Sequence, residues 1–260
     1  MIQFNIHRFG KLARWTLVRD RKYNLKSFLQ NLVVLTLVFV FLTTIDFTVN
    51  QQPANYLPCG IAAIVTFAVT LIVGSSFMFY SMDHKHDMQT LLMLPASNLE
   101  KYLMCYASWI ILLPLQLVAF FAADLIQYVY NTLLGHEWTM FVTQYIAGID
   151  WGDVLGTKTN GNTGRLVFDH LMLALWLHSL YALGATFFRP RKYNWIMTSI
   201  VLILGFFLLV GVFGWGTVNC TWWNHDGLFN ELFFLFAVFN LWLSYRLFCR
   251  RQLIGRFINI

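Results

Sequence analysis

The chain has 260 residues, 58% of them hydrophobic and only 12% charged, with a mean hydropathy of +0.59 and a formal net charge of +6. Soluble domains average about 45–50% apolar and about 25% charged residues, so this chain has too little charge to cover a water-facing surface. Its positive charge sits in short blocks beside apolar runs, which reads as membrane orientation and argues against nucleic acid as a partner.

The N-terminal arm, residues 1–27, interleaves apolar and basic residues. Phe4, Leu12, Trp15 and Val18, with Phe9 nearby, approximate one helical face, while Arg8, Lys11, Arg14 and Arg21 take others. Such a pattern predicts an amphipathic interfacial helix whose cations lie among anionic lipid headgroups. The arm shows no short apolar core followed by a cleavage site, so no signal peptide is expected.

A spanning helix needs about 20 mostly apolar residues. Six stretches meet that length: about Phe28–Phe47, Leu57–Met82, Leu99–Leu134, Leu166–Phe188, Trp195–Val218 and Leu228–Phe248. The third is long enough to be tilted or to extend beyond the bilayer. Long apolar runs without period-two alternation exclude barrel strands, so the expected fold is all-α, a polytopic membrane protein with six transmembrane helices and the N-terminal interfacial helix. The expected organisation is therefore residues 1–27 as the interfacial helix, 28–248 as the membrane domain and 249–260 as a basic tail. Within the membrane domain fall an elbow at 82–101 and an outer loop at 135–165.

All the lysines and arginines except Lys158 and Arg165 fall on one side of this topology. The positive-inside rule makes that side cytoplasmic, with both chain ends on it. Trp138, Trp151, Trp215, Trp222 and Trp223 mark the other side, as rings at headgroup level do. The polar run Gly156–Gly164 lacks the G-x-x-x-x-G-K-[ST] spacing of a phosphate loop and reads as a plain loop.

The elbow, MDHKHDMQTLLMLPASNLEK, carries the most local information. Asp83 and Asp87 precede Met88–Leu94, which suits a two-turn helix, and Pro95 disfavours helical geometry at Leu94 and ends it. Ser97-Asn98-Leu99-Glu100 fits the capping box S-x-x-E, so the third span starts afresh at about Asn98. This helix–turn–helix elbow would present Leu91, Leu92 and Leu94 to a cytoplasmic partner. His84 and His86 read as solvated loop histidines, since one H-x-H pair without other ligands is a weak metal signal, and no metal site is expected.

Among ionisable residues near spans, Asp46, Asp169 and Glu231 lie at outer span ends, where headgroups solvate them. Asp124 and His178 sit deeper and are candidates either to line a cavity or to form buried helix–helix hydrogen bonds. There is no H-E-x-x-H, and no catalytic set is assigned. Cys59, Cys105, Cys220 and Cys249 are far apart with no C-x-x-C pair; Cys59 and Cys220 both fall near the outer face, where unrelated thiols or a disulfide would each fit.

The elbow also carries a family resemblance. The run Asp87-Met88-Gln89-Thr90-Leu91-Leu92-Met93-Leu94-Pro95-Ala96-Ser97-Asn98-Leu99-Glu100-Lys101 resembles the coupling helix of type 2 ABC exporter permeases, which reads as a charged turn, T-L-x-x-L, then L-P-x-S. Six spans, cytoplasmic ends and an N-terminal amphipathic helix are similar to that family too, and the wording of the loop resembles small permeases of Bacteroidota-like bacteria. The resemblance implies a subunit of the bacterial inner membrane that holds no cofactor. A separate cytoplasmic ABC ATPase would bind ATP and Mg, dock at Asp87, Thr90, Leu91, Leu92, Leu94, Pro95, Ser97 and Glu100, and drive export; the aromatic-rich, weakly charged spans would suit an apolar or lipid-like substrate. A second permease chain, identical or related, and membrane lipids complete the implied partners. Two departures stand out: Asn219–Gly227 is short where the family places a re-entrant hairpin, and His84-Lys85-His86-Asp87 stands where a glutamate is common. A membrane-embedded enzyme and a docking scaffold or sensor are the alternative readings.

Overall fold

The computed structural model describes residues 4–50, 55–82, 89–91, 93–136, 139–149, 163–188, 193–213 and 228–250. Among them no strand occurs. The helices are α1 (Ile6–Asn50), α2 (Leu57–Val73), α3 (Asn98–Ile110), α4 (Leu112–Leu133), α5 (Val142–Gly148), α6 (Thr163–Phe187), α7 (Asn194–Phe213) and α8 (Leu228–Cys249), and a 3-10 segment, Gly74–Met82, continues α2.

Five helices are long and apolar enough to cross a membrane: Ile6–Val49, Leu57–Phe79, Asn98–Leu133, Val167–Phe187 and Asn230–Cys249. The sixth expected span falls on α7, where the apolar run Asn194–Leu208 is shorter. Their outward faces carry exposed Val33, Leu37 and Phe41 on α1, Phe121 and Leu125 on α4, and Leu235 and Phe239 on α8. The buried side mixes apolar residues with Thr, Ser, Asn and Gln, among them Thr43, Ser75, Gln127, Ser179 and Asn240. Apolar surface outside and polar groups matched within are what a bilayer stabilises, because hydrocarbon solvates apolar surface and leaves polar groups to find protein partners. The chain is a helical, membrane-embedded protein.

Two details differ from the sequence expectation. The N-terminal arm and the first span form one unbroken 45-residue helix, with no separation near residue 27. The long third span is divided at Ile111, three residues before Pro114, which lacks an N–H and cannot complete the hydrogen bond to the carbonyl one turn back.

The described residues group into two compact units. The first comprises those within Met1–Thr16, Leu71–Trp109 and Gly164–Ile260, and the second those within Leu17–Thr70 and Ile110–Thr163.

In the first unit α6 is the central element, and small or hydroxylated residues let its neighbours approach. Ser75 Oγ donates to the His178 carbonyl at 2.9 Å, Asn240 Nδ2 to Ser179 Oγ at 3.1 Å and Ser244 Oγ to the Ala182 carbonyl at 3.1 Å. Tyr102 from α3 donates to Ser244 Oγ at 3.0 Å, and Tyr181 shares a 2.8 Å bond with Ser199 of α7. Gly184 marks the tightest approach: a Cβ there would fall on Thr198 Oγ1, with Thr198 Cβ and Cγ2 only 3.1 Å away.

In the second unit Leu35 and Phe39 of α1, Tyr56 and Cys59 at the start of α2, Ala123 of α4 and Val142 of α5 form one core, with Phe47, Phe120 and Ile146 packed around it. Cys59 is a free, buried thiol, and Cys220 lies outside the described residues. α4 ends in a Schellman motif: Gly135 N donates to the Thr132 carbonyl at 3.0 Å and His136 N to the Asn131 carbonyl at 3.3 Å, with Gly135 at φ +74°. The His136 ring then stacks on Phe47, centroids 4.0 Å apart.

The α6–α7 approach makes a paired prediction. Gly184→Ala should lower stability by about 1–3 kcal/mol, since Thr198, buried and bonded to the Asn194 carbonyl, would have to shift. Gly205→Ala, where a Cβ meets nothing within 4 Å, should leave stability unchanged or slightly raised. Thermal unfolding in detergent micelles compares the two, and equal shifts would remove the close-packing account.

Candidate functional site: the elbow and its clasp

The elbow region has helical backbone at residues 89–91 and 93, then a turn in which Leu94 N reaches the Leu91 carbonyl at 3.3 Å and Ala96 N the Leu94 carbonyl at 2.7 Å. Pro95 and Ser97 then lead into α3. The capping box forms as its spacing requires: Ser97 Oγ accepts from Glu100 N at 3.2 Å, and Ser97 N donates to Glu100 Oε2 at 2.8 Å.

The Glu100 carboxylate does more than cap its own helix. Asn5 N donates to Oε1 at 2.6 Å, Arg8 Nη2 donates to Oε1 at 2.7 Å and Arg8 Nε donates to Oε2 at 2.8 Å. With the Ser97 bond, each oxygen takes two donors, so all four lone-pair sites of an ionised carboxylate are filled. Asn5 is itself the N-cap of α1, its Oδ1 accepting from His7 N at 2.9 Å and Arg8 N at 3.3 Å. One buried anion therefore lies between the first turns of α1 and α3, whose N–H groups and dipoles both favour negative charge, and a planar guanidinium closes it bidentately. The contact continues along α1 with buried Leu12 and with Thr16, whose hydroxyl meets Met104 Sδ.

The remaining elbow residues divide by exposure. Thr90 and Pro95 are exposed and Leu94 is half-buried, but Leu91 is fully buried. The expectation that Leu91 is offered to a partner is corrected: its side chain packs inward. Among the described elbow residues Met93 is an outward apolar side chain, 85% exposed, which the sequence reading passed over. Asp87 and Leu92, with His84 and His86, lie outside the described residues.

The two deeper candidates belong to different units and are engaged with neighbouring helices. Asp124 of α4 caps α5 from outside: Oδ1 accepts from Val142 N at 2.7 Å and Oδ2 from Thr143 N at 3.0 Å, and Oδ2 also takes the Thr143 hydroxyl. Phe141, the local N-cap residue, offers no side-chain acceptor, so the carboxylate of another helix supplies it. His178 is held at both nitrogens, with Nδ1 2.6 Å from the Leu71 carbonyl and Nε2 2.5 Å from the Tyr106 hydroxyl. A carbonyl only accepts, so Nδ1 carries the proton and Tyr106 donates to Nε2. Trp109 packs beside the imidazole, centroids 4.9 Å apart. The polar atoms of both residues are hydrogen-bonded to neighbouring helices.

No family model, curated protein or solved structure matches this chain.

The clasp gives a direct prediction. Glu100→Gln turns one acceptor into an NH2 group facing existing donors, so the start of α1 should come free. Trypsin cleavage at Arg8, Lys11 and Arg14 should rise on the order of tenfold in the purified protein. Arg8→Lys keeps the charge without the fork and should rise less, read at Lys11 and Arg14. Equal cleavage rates in wild type and Glu100→Gln would remove the clasp.

Proposed function

We propose that this chain is the membrane-spanning subunit of an ATP-driven exporter. It crosses the bacterial inner membrane six times, keeps both ends cytoplasmic and receives motion at the elbow from a separate ATPase that binds ATP and Mg. The observation that favours this reading is the Glu100 clasp. A docking surface moves helices only if it is rigidly joined to them, and here the turn that leaves the elbow shares one buried carboxylate with the start of α1 and the start of α3.

The asymmetric distribution of lysine and arginine supports the orientation, and the T-L-x-x-L and L-P-x-S wording of the elbow supports the class of partner. Within that wording the docking residues are reassigned: Met93, Thr90 and Pro95 form the outward face, while Leu91, Ser97 and Glu100 hold the elbow in shape. Such exporters work as two membrane chains with two ATPases, so a second copy or a related chain completes the assembly. Aromatic-rich, weakly charged spans suit an apolar or lipid-like cargo.

The test is association. Affinity-tagged protein extracted from its native membrane should carry an ABC ATPase whose hydrolysis is measurable in the eluate. Met93→Asp places a charge at the centre of the apolar contact and should reduce that recovery by about tenfold or more at unchanged membrane level. Retention of full ATPase recovery by Met93→Asp would remove the elbow as the docking site; a tagged chain that never carries an ATPase would favour the scaffold or enzyme reading instead.

A further inference from the structure

A helix that tightens its winding must skip one hydrogen bond, and α2 does so within an apolar span. Its α-helical part ends with Val73 and continues as the 3-10 segment Gly74–Met82. An α-helix bonds each N–H to the carbonyl four residues back, a 3-10 helix to the one three back. One carbonyl is therefore passed over at the junction. With the last α-helical bond coming from Gly74 N, that carbonyl is Leu71's, which a continued α-helix would match with Ser75 N.

The Leu71 carbonyl is the one that lies 2.6 Å from His178 Nδ1, so α6 supplies the donor that α2 withdraws. The return contact falls on the other member of the missing bond: Ser75 Oγ donates to the His178 carbonyl at 2.9 Å. His178 thus holds both residues whose mutual bond would make the junction α-helical. Its ring is fixed by the Tyr106 hydroxyl on Nε2 and by Trp109. Trp109 also lies against the junction, where a Cβ at Gly74 would stand 3.0 Å from its Cε3. All these residues belong to the first unit.

Beyond the junction Ser75, Ser76, Met78 and Phe79 are buried, whereas Phe77 is half-buried. Phe79 stacks on Phe248 of α8, centroids 5.8 Å apart. Residues advance about 120° each in a 3-10 helix and about 100° in an α-helix, so rewinding from Ser75 would turn Met78 by about 60° and Phe79 by about 80°. Runs of 3-10 helix this long are uncommon, and inside a longer helix they mark hinges or sequences under constraint.

We propose that His178 is a winding latch. By holding the Leu71 carbonyl that Ser75 N would otherwise take, its imidazole N–H keeps Gly74–Met82 in the 3-10 form and the buried side chains of that segment in place. When the ring lets go, the carbonyl returns to Ser75 N and the segment turns with it. The role is one of positioning, and it does not rest on the exporter reading.

Two magnetic-resonance measurements in lipid nanodiscs test it. Leu177-His178 is the one Leu-His pair in the sequence, so isotope labels on leucine carbonyls and histidine nitrogens single out this ring. The proton should sit on Nδ1 with Nε2 bare; the reverse tautomer in the wild type would overturn the latch before any substitution is made. Methyl-labelled methionine then reads Met78 against a lipid-soluble spin label, with buried Met104 of the same unit reporting that the fold persists. His178→Phe keeps a ring without a donor, and should raise the relaxation of the Met78 methyl about threefold or more while Met104 holds. Tyr106→Phe leaves Nδ1–H on Leu71 and should leave Met78 as in the wild type. Met78 unchanged in His178→Phe, or moved as far by Tyr106→Phe, would reduce His178 to packing. Should His178→Phe disturb Met104 as well, the wild-type tautomer and Tyr106→Phe decide.

Discussion

Hydrocarbon offers a polar atom nothing, and that single condition orders this protein. A group that would be solvated at a soluble surface must here be matched by another part of the chain, and the matches are specific. Thr43, Thr66 and Thr70 return their hydroxyls to carbonyls one turn back, spending nothing outside their own helices. Ser75, Asn240 and Ser244 are spent on α6, so the same requirement that satisfies them also fixes which helices touch. Asp124 closes a helix end whose own cap position is a phenylalanine. The packing is set less by apolar contact, which lipid supplies equally well, than by where these few groups find each other.

The Glu100 clasp is the same logic at the membrane's edge. A carboxylate with every lone pair filled has no inexpensive alternative arrangement, because losing any one donor leaves a lone pair of a buried anion unmatched. It holds two helix starts that are more than ninety residues apart in sequence, with separations of 95 and 92 for the Asn5 and Arg8 bonds. In the exporter reading proposed above, that rigidity is what would carry motion from the elbow to the helices. It also separates the elbow's structural residues, Leu91, Ser97 and Glu100, from those left facing outward.

Much of this was legible in the amino-acid order. Helical class, apolar spans and the capping box follow from local rules, and Ser97 with Glu100 behaves as three-residue spacing demands. The break at Ile111 was also written locally, in Pro114, although the long apolar run obscured it. What stayed hidden was every long-range pairing. Arg8 looks like any headgroup-seeking arginine until it is found on Glu100, and nothing near Asp124 announces α5, because the helix it caps lies 18 residues on in a stretch that reads as loop. Leu91 was misplaced for a related reason: in a run of Leu-Leu-Met-Leu, periodicity over so few residues does not say which side is inward.

The nine residues of Gly74–Met82 carry a mechanical consequence of their own. A 3-10 segment advances about 2.0 Å per residue and an α-helix about 1.5 Å, so the same nine residues wound as α would be shorter by about 4–5 Å. The exchange asks each N–H only to trade the carbonyl three residues back for the one four back, and no backbone group is stripped of its partner on the way. Inside a bilayer, where fraying a helix is prohibitive, this is among the least costly ways for a chain to change length. The segment directly precedes the elbow in the sequence, so drawing in or paying out a few ångströms there would change the length of chain that enters it.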